Sequence, residues 1–175
     1  MKPLFPILAV LALSASGLFA ASKTPPAKPT LLEKAIVLPL ALDDSFQFRK
    51  TLSFLYDPIL RKPTPDIMVN YMWSRMDYGG VTGEDRRQKY GHYFTFYWRS
   101  KRKADLTLRL EYRTQNLGSK VQAQEFYYKD VKGSVKSEFA IIGDDYEEDG
   151  RVTGWRALLI ENGKIVGLNQ SFLWN

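Results

Sequence analysis

The sequence predicts an all-β domain, an antiparallel β-sandwich of about seven short strands. Three observations carry this reading. Strand-like segments recur at about ten-residue spacing through the second half of the chain. Glycine- and asparagine-containing turns separate them, and no long helical pattern supplies the crossovers that parallel strands need.

The elements follow in chain order. Met1-Lys2, the apolar stretch Leu4 to Leu13 and the small residues Ser14 to Gly17 and Ala20 to Ser22 have the layout of a cleaved secretory leader. The stretch is shorter than the roughly 20 apolar residues a membrane span needs. Residues 1–21 are therefore expected to be a signal peptide, and the chain to be exported to the periplasm or cell surface with no stable membrane anchor after cleavage. Residues 22–30 carry Pro25, Pro26 and Pro29 and predict an extended spacer. A single domain spans 31–175. Thr30-Leu31-Leu32-Glu33 has capping-box spacing for a short N-terminal helix, whereas Ile36-Val37 and Pro39 fit an extended edge equally well.

Phe46-Gln47-Phe48 alternates like a strand, whereas Phe48, Leu52 and Leu55-Tyr56 recur near the helical spacing, and Asp57-Pro58 interrupts whichever element this is. Pro63 and Pro65 mark a turn, Ile67 to Trp73 predicts a strand, and Asp77 to Asp85 a glycine-rich loop. Tyr90 to Trp98 is an aromatic strand. Asp105 to Arg113 alternates, with Leu106, Leu108, Leu110 and Tyr112 on one face and Thr107, Arg109, Glu111 and Arg113 on the other. Val121 to Tyr128, Val135 to Ile142, Val152 to Ile160 and Lys164 to Leu173 continue the series. Asn162-Gly163 is the clearest hairpin turn, because both residues tolerate the positive φ of a type I′ turn. This spacing predicts an immunoglobulin-like arrangement, with Trp98, Trp155 and Trp174 filling the space between sheets in place of a disulfide.

Composition excludes much chemistry. The 175 residues contain no cysteine and a single histidine, His92. Thiol catalysis, thiolate metal sites and multi-histidine centres are thus unavailable to one chain. The net charge of +6 falls by one when Lys2 leaves with the leader. Such a moderate basic excess suits anionic glycans better than nucleic acid in an exported protein. No nucleophile and base stand at catalytic spacing, and no pair of carboxylates is singled out for glycoside hydrolysis. The expectation is a non-enzyme without cofactor or metal.

Thr153-Gly154-Trp155-Arg156-Ala157-Leu158-Leu159-Ile160-Glu161-Asn162-Gly163-Lys164-Ile165-Val166, ending in Ser171-Phe172-Leu173-Trp174, resembles the last hairpin of small secreted bacterial proteins with immunoglobulin-like β-sandwich folds. The resemblance covers about the final quarter of the chain. It implies a non-catalytic structural or protein-interaction role in the cell envelope, linked to a pilus or secretion assembly, with another envelope protein or a second copy as partner.

Candidate contacts follow from residue type. Trp73, Tyr78 and Tyr128 are aromatics that a carbohydrate-binding module would stack on sugar rings, which is the alternative function. Arg99, Lys101, Arg102 and Lys103 form a basic run suited to an anionic glycan or an acidic partner. Gly143 to Gly150 holds five carboxylates in what reads as a solvated loop; a hard cation would take Asp144, Asp145, Glu147 and Asp149 from it.

Overall fold

The structure, a computed structural model, describes residues 28, 30–33 and 36–174. The predicted leader and nearly all of the proline-rich spacer lie outside these residues. The described chain runs β1 (Thr30–Leu32), β2 (Phe46–Tyr56), α1 (Ile67–Asp77), α2 (Gly83–Arg87), β3 (Gly91–Thr114), β4 (Gln122–Ile142), α3 (Asp144–Asp149), β5 (Val152–Glu161) and β6 (Lys164–Gln170). A 3-10 turn over Phe172–Trp174 follows.

The chain is mostly antiparallel β-sheet, as expected, but its strands are fewer and longer. Six join one hydrogen-bonded sheet in the order β1-β4-β3-β5-β6, with β2 also on β3. Tyr90 to Trp98 and Asp105 to Arg113 are one strand, β3, and the two segments around Val121–Tyr128 and Val135–Ile142 are likewise one strand, β4. What reads as a turn between each pair is a bend. The β3–β4 register slips between Ser100 and Leu106, and β4 carries positive φ at Asp130 (48°) and Gly133 (93°) opposite it. Such irregularities sharpen twist without ending pairing.

The bend decides the architecture. Because β4 pairs along both halves of β3, the other edge of β3 is shared: β2 takes Gly91 to Ser100, and β5 takes Thr107 to Thr114. A straight strand would separate His92 from Thr114 by about 70 Å. Instead His92 Nδ1 accepts the backbone N–H of Val152, the partner of Thr114 in the ladder, at 3.1 Å. The ring of Trp155 sits edge-on to Phe94 (5.8 Å) and Phe96 (5.5 Å). The sheet therefore folds over on its even-numbered face. Phe94, Phe96, Trp98, Leu106, Leu108, Leu110 and Tyr112 line the inside in one cluster with Phe46, Phe139 and Val166.

Three local expectations change, one of them where the glycine-rich loop expected over Asp77 to Asp85 gives way to α2 at Gly83, and one open alternative closes. Ile67 to Trp73 is helix, not strand, because the Asp66 carboxylate caps the N–H groups of Met68 and Val69 and Asn70 ties back to the Thr64 carbonyl. A short apolar run suits either state, and here the cap decides. Gly143 to Gly150 is helix α3 rather than a loop; its carboxylates begin in the first turn, where the helix dipole favours them, and glycines with positive φ stand at both ends. Thr30–Leu32 pairs with Ala123–Glu125 as an edge strand, so the capping-box alternative is not used. The Asn162-Gly163 turn forms as expected, with φ of 48° and 71° between β5 and β6.

Candidate functional site

The outer face of β3, β4 and β5 carries Arg109, Glu111, Glu125 and Arg156, and the ladder sets Arg109 opposite Glu125 and Glu111 opposite Arg156. Cross-strand opposite charges of this kind attract. Arg109 Nε donates to Glu125 at 2.5 Å, Arg156 Nε donates to Glu111 at 2.6 Å, and Arg109 Nη1 lies 3.5 Å from the other Glu111 oxygen. Alternation predicts a polar face here; the structure buries it. Glu111 keeps only 2% exposure and Arg109 8%.

Two segments provide the cover. The C-terminal 3-10 turn crosses Gly154, the one residue whose missing Cβ leaves room for the Leu173 carbonyl, and lays Trp174 against the guanidinium groups of Arg113 (4.6 Å) and Arg156 (5.0 Å). Residues 36–43 form a strap at the other end. The Ile36 carbonyl accepts from Arg109 Nη1, Leu38 packs on Leu158, Ile160 and Ile165, and Ala41 and Asp43 donate backbone bonds to Ile165 and Val166 of β6.

Up to Asp43 the strap is apolar, Ile36-Val37-Leu38-Pro39-Leu40-Ala41-Leu42, yet only Leu38 is committed to a core cluster. Ile36, Val37, Leu40 and Leu42 are exposed, Val37 to 91%. Phe172 and Leu173 of the C-terminal turn are exposed as well. One face of the molecule thus presents two apolar segments on either side of a buried ion network. Isolated exposed apolar residues are ordinary; a contiguous run of this kind is a candidate contact surface.

The residues singled out from sequence are dispersed. Trp73 is 7% exposed, sealed in α1 between Phe54 and Tyr56 and beneath Arg61, so it offers no stacking surface. Tyr78 is exposed after α1. Tyr128 is half-buried against Trp98 and shares a hydrogen bond with Ser137. These three aromatics form no row, since Trp73 lies at the Gly91 end of β3 and Tyr128 pairs with Leu106 beyond the bend.

The basic run sits on the bend itself. Arg102 is occupied, held by both oxygens of Glu161, by Asp43 and by the Phe46 ring. Arg99, Lys101 and Lys103 are exposed, and the β3–β4 register brings Lys129 and Lys132 to the same ridge. Sequence separation concealed those two lysines.

His92 is half-buried, and its desolvation together with the nearby Arg151 charge lowers its pKa to about 4. Three of the five carboxylates of α3 are engaged: Glu147 with Arg87, Asp149 with Gln122 and Asp144 with Gln88. Among the described residues no group of His, Cys, Asp or Glu is arranged to hold a metal, and no helix is long and apolar enough to cross a membrane. In comparisons with known proteins, no family model, curated protein or solved structure matches this chain.

Proposed function

We propose that this chain is a non-catalytic, exported structural or protein-interaction module of the bacterial cell envelope, and that it docks its partner on the face formed by the strap and the C-terminal turn. The exposed apolar strap carries the reading. Burying Ile36, Val37, Leu40 and Leu42 against a partner would supply on the order of 5 kcal/mol before the costs of association. The leader-like N-terminus and the C-terminal hairpin resemblance support export and envelope association, including a pilus or secretion assembly. The folded-over sheet supports the immunoglobulin-like sandwich reading, its two halves serving as the two layers.

The test is site-specific photocrosslinking in native cells from positions 37 and 172, with position 62 in the loop before α1 as control. Capture of one envelope protein, or of a second copy, from 37 and 172 but not 62 supports the reading. Equal capture from all three positions, or from none, refutes it.

A second reading, binding of an anionic glycan, is favoured by the ridge on the bend. Arg99, Lys101, Lys103, Lys129 and Lys132 make no side-chain ion pair among the described residues, and exposed Tyr127 adjoins them on β4. Retention on an anionic polysaccharide column that is lost in a Lys129→Glu, Lys132→Glu variant would support it; retention unchanged in that variant would overturn it.

A further inference from the structure

Helix α1 lies over the outer face of β2, β3 and the C-terminal half of β4 and leaves a cleft of about 350 Å³ beneath it. The floor consists of two cross-strand rows. Leu52, Thr95 and Glu138 form one, and Phe54, Tyr93 and Ala140 form the other. The roof is Met72, Arg75 and Met76 of α1. The helix is pinned at one end, where Trp73 wedges between Phe54 and Tyr56 and the Tyr56 hydroxyl donates to Asp77 at 2.5 Å.

The lining is largely apolar, and its volume falls within the range of small-molecule sites. Two methionines in the roof suit a flexible aliphatic guest, because unbranched thioethers adapt their shape. The polar groups then fix the ligand's chemistry. The Tyr93 hydroxyl is spent on the Lys89 carbonyl (2.7 Å), and Glu138 is neutralised by Lys136 at 2.6 Å. Arg75 makes no side-chain ion pair or hydrogen bond among the described residues. One uncompensated guanidinium therefore stands at an apolar cleft, and its fork geometry matches a carboxylate.

We propose that this cleft binds an aliphatic carboxylate, its acyl chain lying under α1 between Met72, Met76, Leu52 and Phe54 and its carboxylate on Arg75. The site lies on the outer face of the sheet half opposite the one the strap covers, so it stands apart from the proposed docking face.

Isothermal titration of the full chain at neutral pH with decanoate, decanol and decyltrimethylammonium tests it. The expected result is saturable one-to-one binding of decanoate and weaker binding of the other two. Arg75→Gln should weaken decanoate at least tenfold and leave decanol unchanged, while Ala140→Trp, which fills the cleft, should abolish both. If Ala140→Trp fails to melt cooperatively, Met76→Trp fills the cleft from the helix instead. Absence of saturable decanoate binding overturns the proposal, as does decanoate binding that survives either Arg75→Gln or cleft filling.

Discussion

Acidification should destabilise this protein through a single imidazole. His92 is the only histidine in the chain. Its Nδ1 accepts the Val152 N–H, which requires the neutral ring with its proton on Nε2, and burial together with the Arg151 charge holds its pKa near 4 against an ordinary 6.5. Because the folded pKa is depressed, the unfolded chain binds the proton first as pH falls. Stability is then complete above about pH 6.5, is lost steadily between 6.5 and 4, and loses no more from this group below 4. A gap of about 2.5 units at 1.36 kcal/mol each amounts to on the order of 3 kcal/mol. Carboxylates also titrate at the low end of this window, so the comparison is with His92→Asn, which keeps an acceptor but no titrating group. Urea melts of both proteins at pH 7, 6, 5 and 4 should show the wild type losing about 3 kcal/mol more than the variant over that range. The imidazole resonance in NMR should titrate near 4. A folded-state imidazole titrating near 6.5, or parallel stability losses in the two proteins, would refute the argument.

Four further outcomes follow from the same geometry. Glu111→Ala leaves Arg156 without its carboxylate and Arg109 short of one, and should cost about 3 kcal/mol, read as a melting temperature lower by about 6–12 °C. Trp174→Ala removes the cover over Arg113 and Arg156 and should cost about 3 kcal/mol by chemical denaturation, with faster amide exchange at Arg156. Gly91→Ala places a Cβ against the Ile141 carbonyl at a φ of 146° and should cost about 3 kcal/mol or more in the same denaturation assay, whereas Val37→Asp should change stability by less than about 0.5 kcal/mol while abolishing the crosslink from position 172.

The parts of the fold legible in the sequence are those set by nearest neighbours along the chain. Leu106, Leu108, Leu110 and Tyr112 alternate onto one face because strand geometry leaves no other choice, and all four are buried on the inside. Asn162-Gly163 turns the β5–β6 hairpin because both residues accept positive φ. Ile67 to Trp73 was illegible for a related reason: its six apolar and aromatic residues fit strand and helix alike, and the decision fell to Asp66 and Thr64 just outside the run.

The candidate contacts were only partly legible. Arg99, Lys101 and Lys103 are exposed as a charged run should be, but Arg102 was claimed by Asp43 and Glu161, each 59 residues away. Trp73 faces inward because two aromatics of β2 meet it there. Neither partner is visible from the local pattern.

Strand periodicity, hairpin chemistry and the exclusion of thiol and multi-histidine chemistry follow from the chain alone, since each depends on residue type and short-range spacing. Whether Asp130 to Gly133 ends a strand or bends it depended on whether β3 stayed paired alongside, a contact between segments some thirty residues apart. Tertiary structure likewise decided that the polar face of β3 is buried: Arg109, Glu111, Glu125 and Arg156 neutralise one another only once three strands are in register. The strap and Trp174 can then exclude water from them, leaving the apolar side of the strap turned outward.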